Sequence, residues 1–197
     1  MRKLTHHDIK DLREYERERD AFRGEVIAMK KQRRIALGDI ITVVFENTAT
    51  MRFQIQEMAR AERMLRDEQI AHEIETYNDL IPEDGELSCT LFIEIDDEEA
   101  LRYWLPRLVG IQRYVHIVVG DDVVDAREED VERLTREELD EAITTTVHYL
   151  KFGPFTAEQQ RGFADNPVRI VVDHPEYQVD VELTDDQCDE LVGDFAA

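Results

Sequence analysis

Apolar residues recur along this chain in two rhythms, and the places where the rhythm changes mark the predicted elements. Ile9, Leu12, Tyr15, Phe22, Val26 and Met29 return near every third or fourth position. That spacing predicts an amphipathic helix over roughly residues 6–33, with Thr5 as its N-cap and Gly24 as a candidate bend or break. After Gly38 the run IITVVF is continuously apolar and rich in β-branched residues, the composition of a strand buried on both faces. Asn47 or Thr48 then caps a helix reaching about residue 65, and another spans about 70–81.

Pro82-Glu83-Asp84-Gly85 reads as a turn, and residues 87–95 alternate as a strand does. Asp96-Asp97 opens a helix carrying Leu101, Trp104, Leu105 and Leu108. Residues 115–119 and 123–124 flank Gly120-Asp121-Asp122 as a hairpin, followed by a short acidic helix near 135–142 and a strand over 146–152. A helix at 156–164, a second hairpin (168–172 and 178–183) and a terminal helix from about 184 to 195 complete the chain. Strands joined by short turns, with helices at the front and in between, predict an α+β fold with a mostly antiparallel sheet. No repeat, low-complexity tract or flexible linker divides residues 1–197, so a single domain is expected.

Charge changes this picture. The chain carries 46 Asp and Glu against 24 Lys and Arg, a formal net charge of −22, and only five of the basic residues are Lys. In dilute buffer such a surplus opposes compaction, whereas at 1 M salt the screening length falls to roughly 3 Å and the repulsion fades. An acid-rich, Lys-poor surface is therefore read as adaptation to concentrated salt. The distribution is uneven: residues 1–34 hold 11 basic and 7 acidic side chains, a net of +4, which leaves −26 on the body at 35–197. Lys30, Lys31, Arg33 and Arg34 form the densest basic cluster. It is available either to dock an acidic or phosphate-bearing partner or to lie across the acidic body of its own chain or of a second subunit. A homodimer stays open. The overall field repels nucleic acid, and no basic platform interleaved with aromatics is present.

The candidate chemistry lies in two predicted helices. Met51, Ile55, Met58 and Leu65 make an apolar stripe on which Glu62 also falls, and Glu73 borders the stripe of Ile70, Ile74, Tyr77 and Ile81. Buried carboxylates must be paired, hydrogen-bonded or metal-bound. One reading gathers Glu57, Glu62, His72 and Glu73 around a divalent metal. The other pairs Glu57 and Glu62 with Arg60, Arg63 and Arg66. His72 points away from its helix stripe and Glu-x-x-His spacing is missing, which favours the second. His6-His7-Asp8 reads as a solvated first turn, His116 and His148 as hydrogen-bonded core residues, and His174 as an exposed turn residue.

Cys89 and Cys188 are far apart and read as reduced packing residues. No secretory signal or membrane-length apolar run occurs, so the cytoplasm is expected. No phosphate-cradling glycine loop, nucleophile elbow or zinc-protease motif is written here, and Ser88 is the one serine. No cofactor is evident beyond the open divalent-metal reading.

The segments RKLTHHDI, FRGEVIAMKKQRRIALG, FENTATMRFQIQEMARAER, YNDLIPEDGELSCTLFIEI, RLVGI, VHYLKF and VDHPEY together resemble an uncharacterised prokaryotic family, domain-of-unknown-function family three-five-zero-one, over nearly the whole chain. The resemblance implies no established activity. It implies a gene neighbourhood shared with rubrerythrin-like and heterodisulfide-reductase-like iron–sulfur proteins, and hence an iron–sulfur or rubrerythrin-like partner in a redox or oxidative-stress module. Two distant cysteines do not ligate a cluster in this chain itself. The expectation is a non-catalytic accessory protein docking through its basic N-terminal helix and the 51–66 helix. The alternatives are a small carboxylate-based metal-binding protein or enzyme, or a ligand-binding module.

Overall fold

The computed structural model describes residues 1–129 and 143–195. Thr5 does cap, but only a single 3-10 turn at His6–Asp8. The Asp8 carboxylate closes that turn by accepting from the Thr5 backbone N–H and hydroxyl, both at 2.8 Å. The chain then straightens at Ile9, and the first long helix, α1 (Leu12–Arg33), starts afresh with Asp11 accepting from the backbone N–H groups of Arg13 and Glu14. Gly24 does not interrupt α1; it sits on the exposed side with nothing near its missing Cβ. A helical glycine costs about 1 kcal/mol relative to alanine, too little to break a packed helix of this length.

Strand β1 (Arg34–Leu37) follows α1 directly and turns at Gly38 into β2 (Ile41–Glu46). Helices α2 (Thr48–Ala61) and α3 (Asp67–Asn78) come next, then β3 (Leu87–Ile93) and α4 (Glu98–Trp104). Strands β4 (Val115–Val119) and β5 (Asp122–Glu128) form the first predicted hairpin. The predicted helix at 135–142 lies outside the described residues. Strand β6 (Val147–Phe152), α5 (Ala157–Asp165), the hairpin of β7 (Val168–His174) with β8 (Tyr177–Glu182), and α6 (Asp185–Phe195) complete the order.

All strand pairs are antiparallel, in one eight-stranded sheet ordered β1-β2-β3-β6-β5-β4-β7-β8. The fold is α+β. The sheet curls until its edge strands approach: Tyr177 Oη on β8 donates to the Leu37 carbonyl on β1 at 2.6 Å. Gly38 lets the two edges meet, since its φ is +78° and a Cβ there would stand 2.3 Å from the Tyr177 hydroxyl. Inside the nearly closed barrel lie Val43, Phe45, Leu91, Leu150, Ile117 and Ile170, all buried. Each such side chain contributes about 1.5–3 kcal/mol by leaving water.

Phe155, Phe163 and Phe195 plug one end with ring centroids 5.2–5.6 Å apart. At the other end Trp104 packs edge-on against Tyr177, and Leu108 and Ile111 seal the interior. Helices α1 and α2 cover the outside of the sheet at β2, where every residue is buried, and α3 packs against α2. A second cluster of Met51, Ile55, Ile74, Tyr77, Leu80 and Ile81 lies there, with Tyr149 of β6 against it. Strand β8, by contrast, shows solvent Gln178, Asp180 and Glu182 at every second position.

Candidate functional site

Helix α1 holds most of the chain's concentrated positive charge, and its fate decides what the surface can do. Arg33 is 2% exposed and grips α6: its guanidinium binds Asp194 through two hydrogen bonds at 2.7 and 2.8 Å, and Nε reaches Glu190 at 2.8 Å. Burial pushes the Asp194 carboxyl up and the Arg33 guanidinium opposes that rise. Arg34 hydrogen-bonds Glu94 at 2.6 Å, and Lys30 Nζ stands 4.0 Å from Glu46. Of the four basic residues singled out in the sequence, Arg33 is thus turned inward and Lys30 and Arg34 face acids of the same chain. Lys31 alone is exposed with no ion pair among the described residues.

Lys31 belongs to a ridge that sequence reasoning missed. Arg23, Ile27 and Lys31 follow one another at i, i+4 and i+8 along the outward side of α1. Arg23 and Lys31 have no hydrogen bond or ion pair among the described residues, and Ile27 between them is 43% exposed. The signal was present as charge without a matching acid at helical spacing. The Lys-Lys-Gln-Arg-Arg run attracted attention only because its charges are adjacent in sequence.

The carboxylates of the metal reading take separate positions. Glu57 faces α1 and accepts from Tyr15 Oη at 2.7 Å and from Nε and one terminal nitrogen of Arg19 at 2.8 Å each. The Arg19 hydrogen bond, aided by Tyr15 and opposed by partial burial, holds the Glu57 carboxyl down at about 2. Glu62 is exposed, because α2 stops at Ala61 and Glu62 is its C-cap. His72 is exposed on α3, and Glu73 beside it is half-buried. Among the described residues, no group of three or more His, Cys, Asp or Glu gathers closely enough to hold a metal ion.

Glu46, at the end of β2, is almost as deeply buried as Asp194. It is 4% exposed, accepts from Thr90 Oγ1 at 3.0 Å, and leaves its second oxygen buried without a hydrogen bond. Burial, with Tyr77 and Glu46 nearby, pushes the Tyr149 hydroxyl up to about 12.

The histidines divide. His148 is a buried, hydrogen-bonded residue: Nε2 lies 3.0 Å from Thr144 Oγ1 and Nδ1 3.3 Å from Glu128, and burial lowers its pKa. His116 is hydrogen-bonded but not in the core; it stands on the outer sheet face between Asp125 at 2.8 Å and Asp173 at 3.1 Å. His174 is buried, not exposed, because it shares the inward side of β7 with Ile170 and Val172. Its Nδ1 accepts the Glu176 N–H at 3.2 Å, so it does shape its turn. Cys89 and Cys188 are free and buried, and burial pushes both thiols up. No helix among the described residues is long and apolar enough to cross a membrane.

These features define an α+β protein with a curled antiparallel sheet and a cation-bearing helix laid over an acidic body. The chain belongs to the family described as Protein of unknown function (DUF3501), whose model matches residues 3–195. It is similar to the crystal structure of a novel protein of unknown function from Burkholderia pseudomallei K96243. The two share 31% identity and a TM-score of 0.88, over 98% of this chain and 99% of that one. No curated protein matches the chain.

Proposed function

We propose that this protein is a non-catalytic interaction partner of an iron–sulfur or rubrerythrin-type redox module in the cytoplasm of a salt-adapted cell. The observation that carries the reading is the Arg23–Ile27–Lys31 ridge: unmatched cations flanking an exposed isoleucine, in a chain of net charge −22. Several other cations of α1 and the segment before it do meet acids. Lys3 meets Glu83, Lys10 meets Glu14, and Arg19 meets Glu57. An acidic partner supplies what Arg23 and Lys31 lack. At molar salt only charges in contact still attract, so the apolar Ile27 between the two cations keeps such a dock effective. The redox assignment rests on the family resemblance, and the dock rests on the ridge.

The test is affinity capture from a lysate held at the host's salt concentration, with iron and sulfide measured in the captured fraction. The expected result is an acidic iron-containing partner retained by the wild type and reduced at least tenfold by Arg23→Glu with Lys31→Glu. A captured fraction without iron removes the redox assignment, and undiminished capture by the double variant removes the dock.

A further inference from the structure

In the turn between α2 and α3 two adjacent apolar residues part company. Met64 points inward and is 6% exposed, whereas Leu65 stands 81% in solvent. Arg63 takes φ 51° to make that turn, a left-handed conformation disfavoured for a residue with a Cβ. Beside Leu65 lies a cleft of about 150 Å³, and Leu65 itself forms part of its rim. Ile9, Leu12, Ala59, Met64 and Ile70 give the cleft an apolar lining. An apolar hole of about 150 Å³ is large enough to take up a benzene ring, so this cleft has room for one side chain of leucine size. A protruding leucine and a leucine-sized hole thus lie side by side on one surface. A two-fold contact has that form, because each copy presents the same patch and contacts run in both directions.

The charges around Leu65 are self-complementary as well. Arg63 makes no ion pair among the described residues, and Arg66 reaches Gln69 alone, at 3.4 Å. Glu62 and Glu68 make no ion pair among the described residues either, and all four charged residues are exposed. The other charges at the cleft are engaged within the chain: Asp67 with His6, Lys10 with Glu14, and Asp11 as the cap of α1. Two unmatched arginines and two unmatched glutamates therefore surround one leucine, and their charges cancel. Copies of a chain with net charge −22 repel one another over most of their surface, so a patch of this kind is where two of them can meet. At molar salt only charges in contact still attract, and the buried leucines then carry the association. The Arg23–Ile27–Lys31 ridge offers cations without acids and cannot pair with itself.

We propose that the Leu65 surface joins two copies of this chain in a two-fold dimer. Leu65 of each copy sits in the Ile9–Ala59–Met64–Ile70 cleft of the other, and Arg63 and Arg66 face the glutamates across the contact. The ridge is not part of this interface.

Sedimentation equilibrium in molar KCl, at protein concentrations from about 1 μM to 1 mM, tests this. The wild type is expected to dimerise with rising concentration. Leu65→Asp, at an exposed position, should weaken the dimer about a hundredfold, because each of the two buried leucines is worth about tenfold or more. An unchanged far-ultraviolet circular dichroism spectrum will show that the variant is folded. Arg66→Glu and Glu68→Arg should each weaken the dimer, and the two together should restore it, as an exchange of partners across a two-fold axis does. A wild type that stays monomeric throughout, a Leu65→Asp variant that dimerises as tightly as the wild type, or a charge exchange that restores nothing overturns the proposal. Arg23→Glu with Lys31→Glu should leave the dimer intact; its loss would place the contact on the ridge and overturn the assignment to Leu65.

Discussion

Glu57 shows how single residues settle between readings that look alike in sequence. Its neighbours in sequence supplied Arg60, Arg63 and Arg66 as partners; the fold chose Arg19, from 38 positions away, with Tyr15 beside it. Arg60 stands 3.5 Å off. Because the folded carboxyl is held at about 2, below its ordinary 4.5, its contribution to stability is present above the unfolded value and is lost as pH falls from about 4.5 toward 2. Glu57→Gln should therefore destabilise the protein at pH 7 by about 1–2 kcal/mol, discounted for partial solvent exposure, and flatten the loss of stability over that acid range. Urea unfolding at a series of pH values measures both; an unchanged acid slope would show that Glu57 is not the group that titrates.

Glu62 and Leu65 fell off the predicted stripe for an element-scale reason. Helix α2 ends in a Schellman turn, with Met64 N–H bonded to the Ala59 carbonyl at 2.9 Å and Arg63 N–H to that of Arg60 at 3.3 Å. Arg63 adopts φ 51° at the position glycine usually fills, so no glycine announced the stop, and Leu65 ends 81% exposed. Strand β1 was equally hidden, because four residues between a helix and a turn carry too little periodicity to be seen.

The join between α1 and α6 is the third such feature. Arg33 and Asp194 are separated by 161 positions and meet as a buried bidentate pair. Removing one member strands a buried charge, so Arg33→Met should cost about 3–5 kcal/mol, while Arg33→Met with Asp194→Leu should recover most of it. Equilibrium denaturation of the single and double variants checks this, and a double variant as unstable as the single one would contradict it.

Over the whole molecule, the acidic surplus is compensated locally and left uncompensated globally. Pairs such as Arg19–Glu57, Arg33–Asp194 and Arg34–Glu94 satisfy individual cations, but a net −22 remains. The resulting self-repulsion is screened by salt, so unfolding should be later and more cooperative at 2 M than at 0.1 M KCl. For a chain of this size each kcal/mol regained raises the midpoint by about 2–4 °C. Calorimetric scans at the two salt concentrations test this, and identical midpoints would remove salt adaptation from the account.

The chain's own pattern determined the α+β class, the antiparallel hairpins, most helices and the charge asymmetry, because periodicity, turn residues and composition are local properties. Family membership was legible for a similar reason: the segments that carry it run through nearly the whole sequence. Tertiary structure alone decided which cations remain unmatched. Arg33 is adjacent to Arg34 and close to Lys31, yet one is buried, one is paired on the surface and one is exposed without an ion pair among the described residues. Pairing depends on which acid the fold brings within a few ångströms, and Asp194, Glu94 and Glu57 come from distant parts of the chain. The ridge is what remains after those long-range pairs have formed.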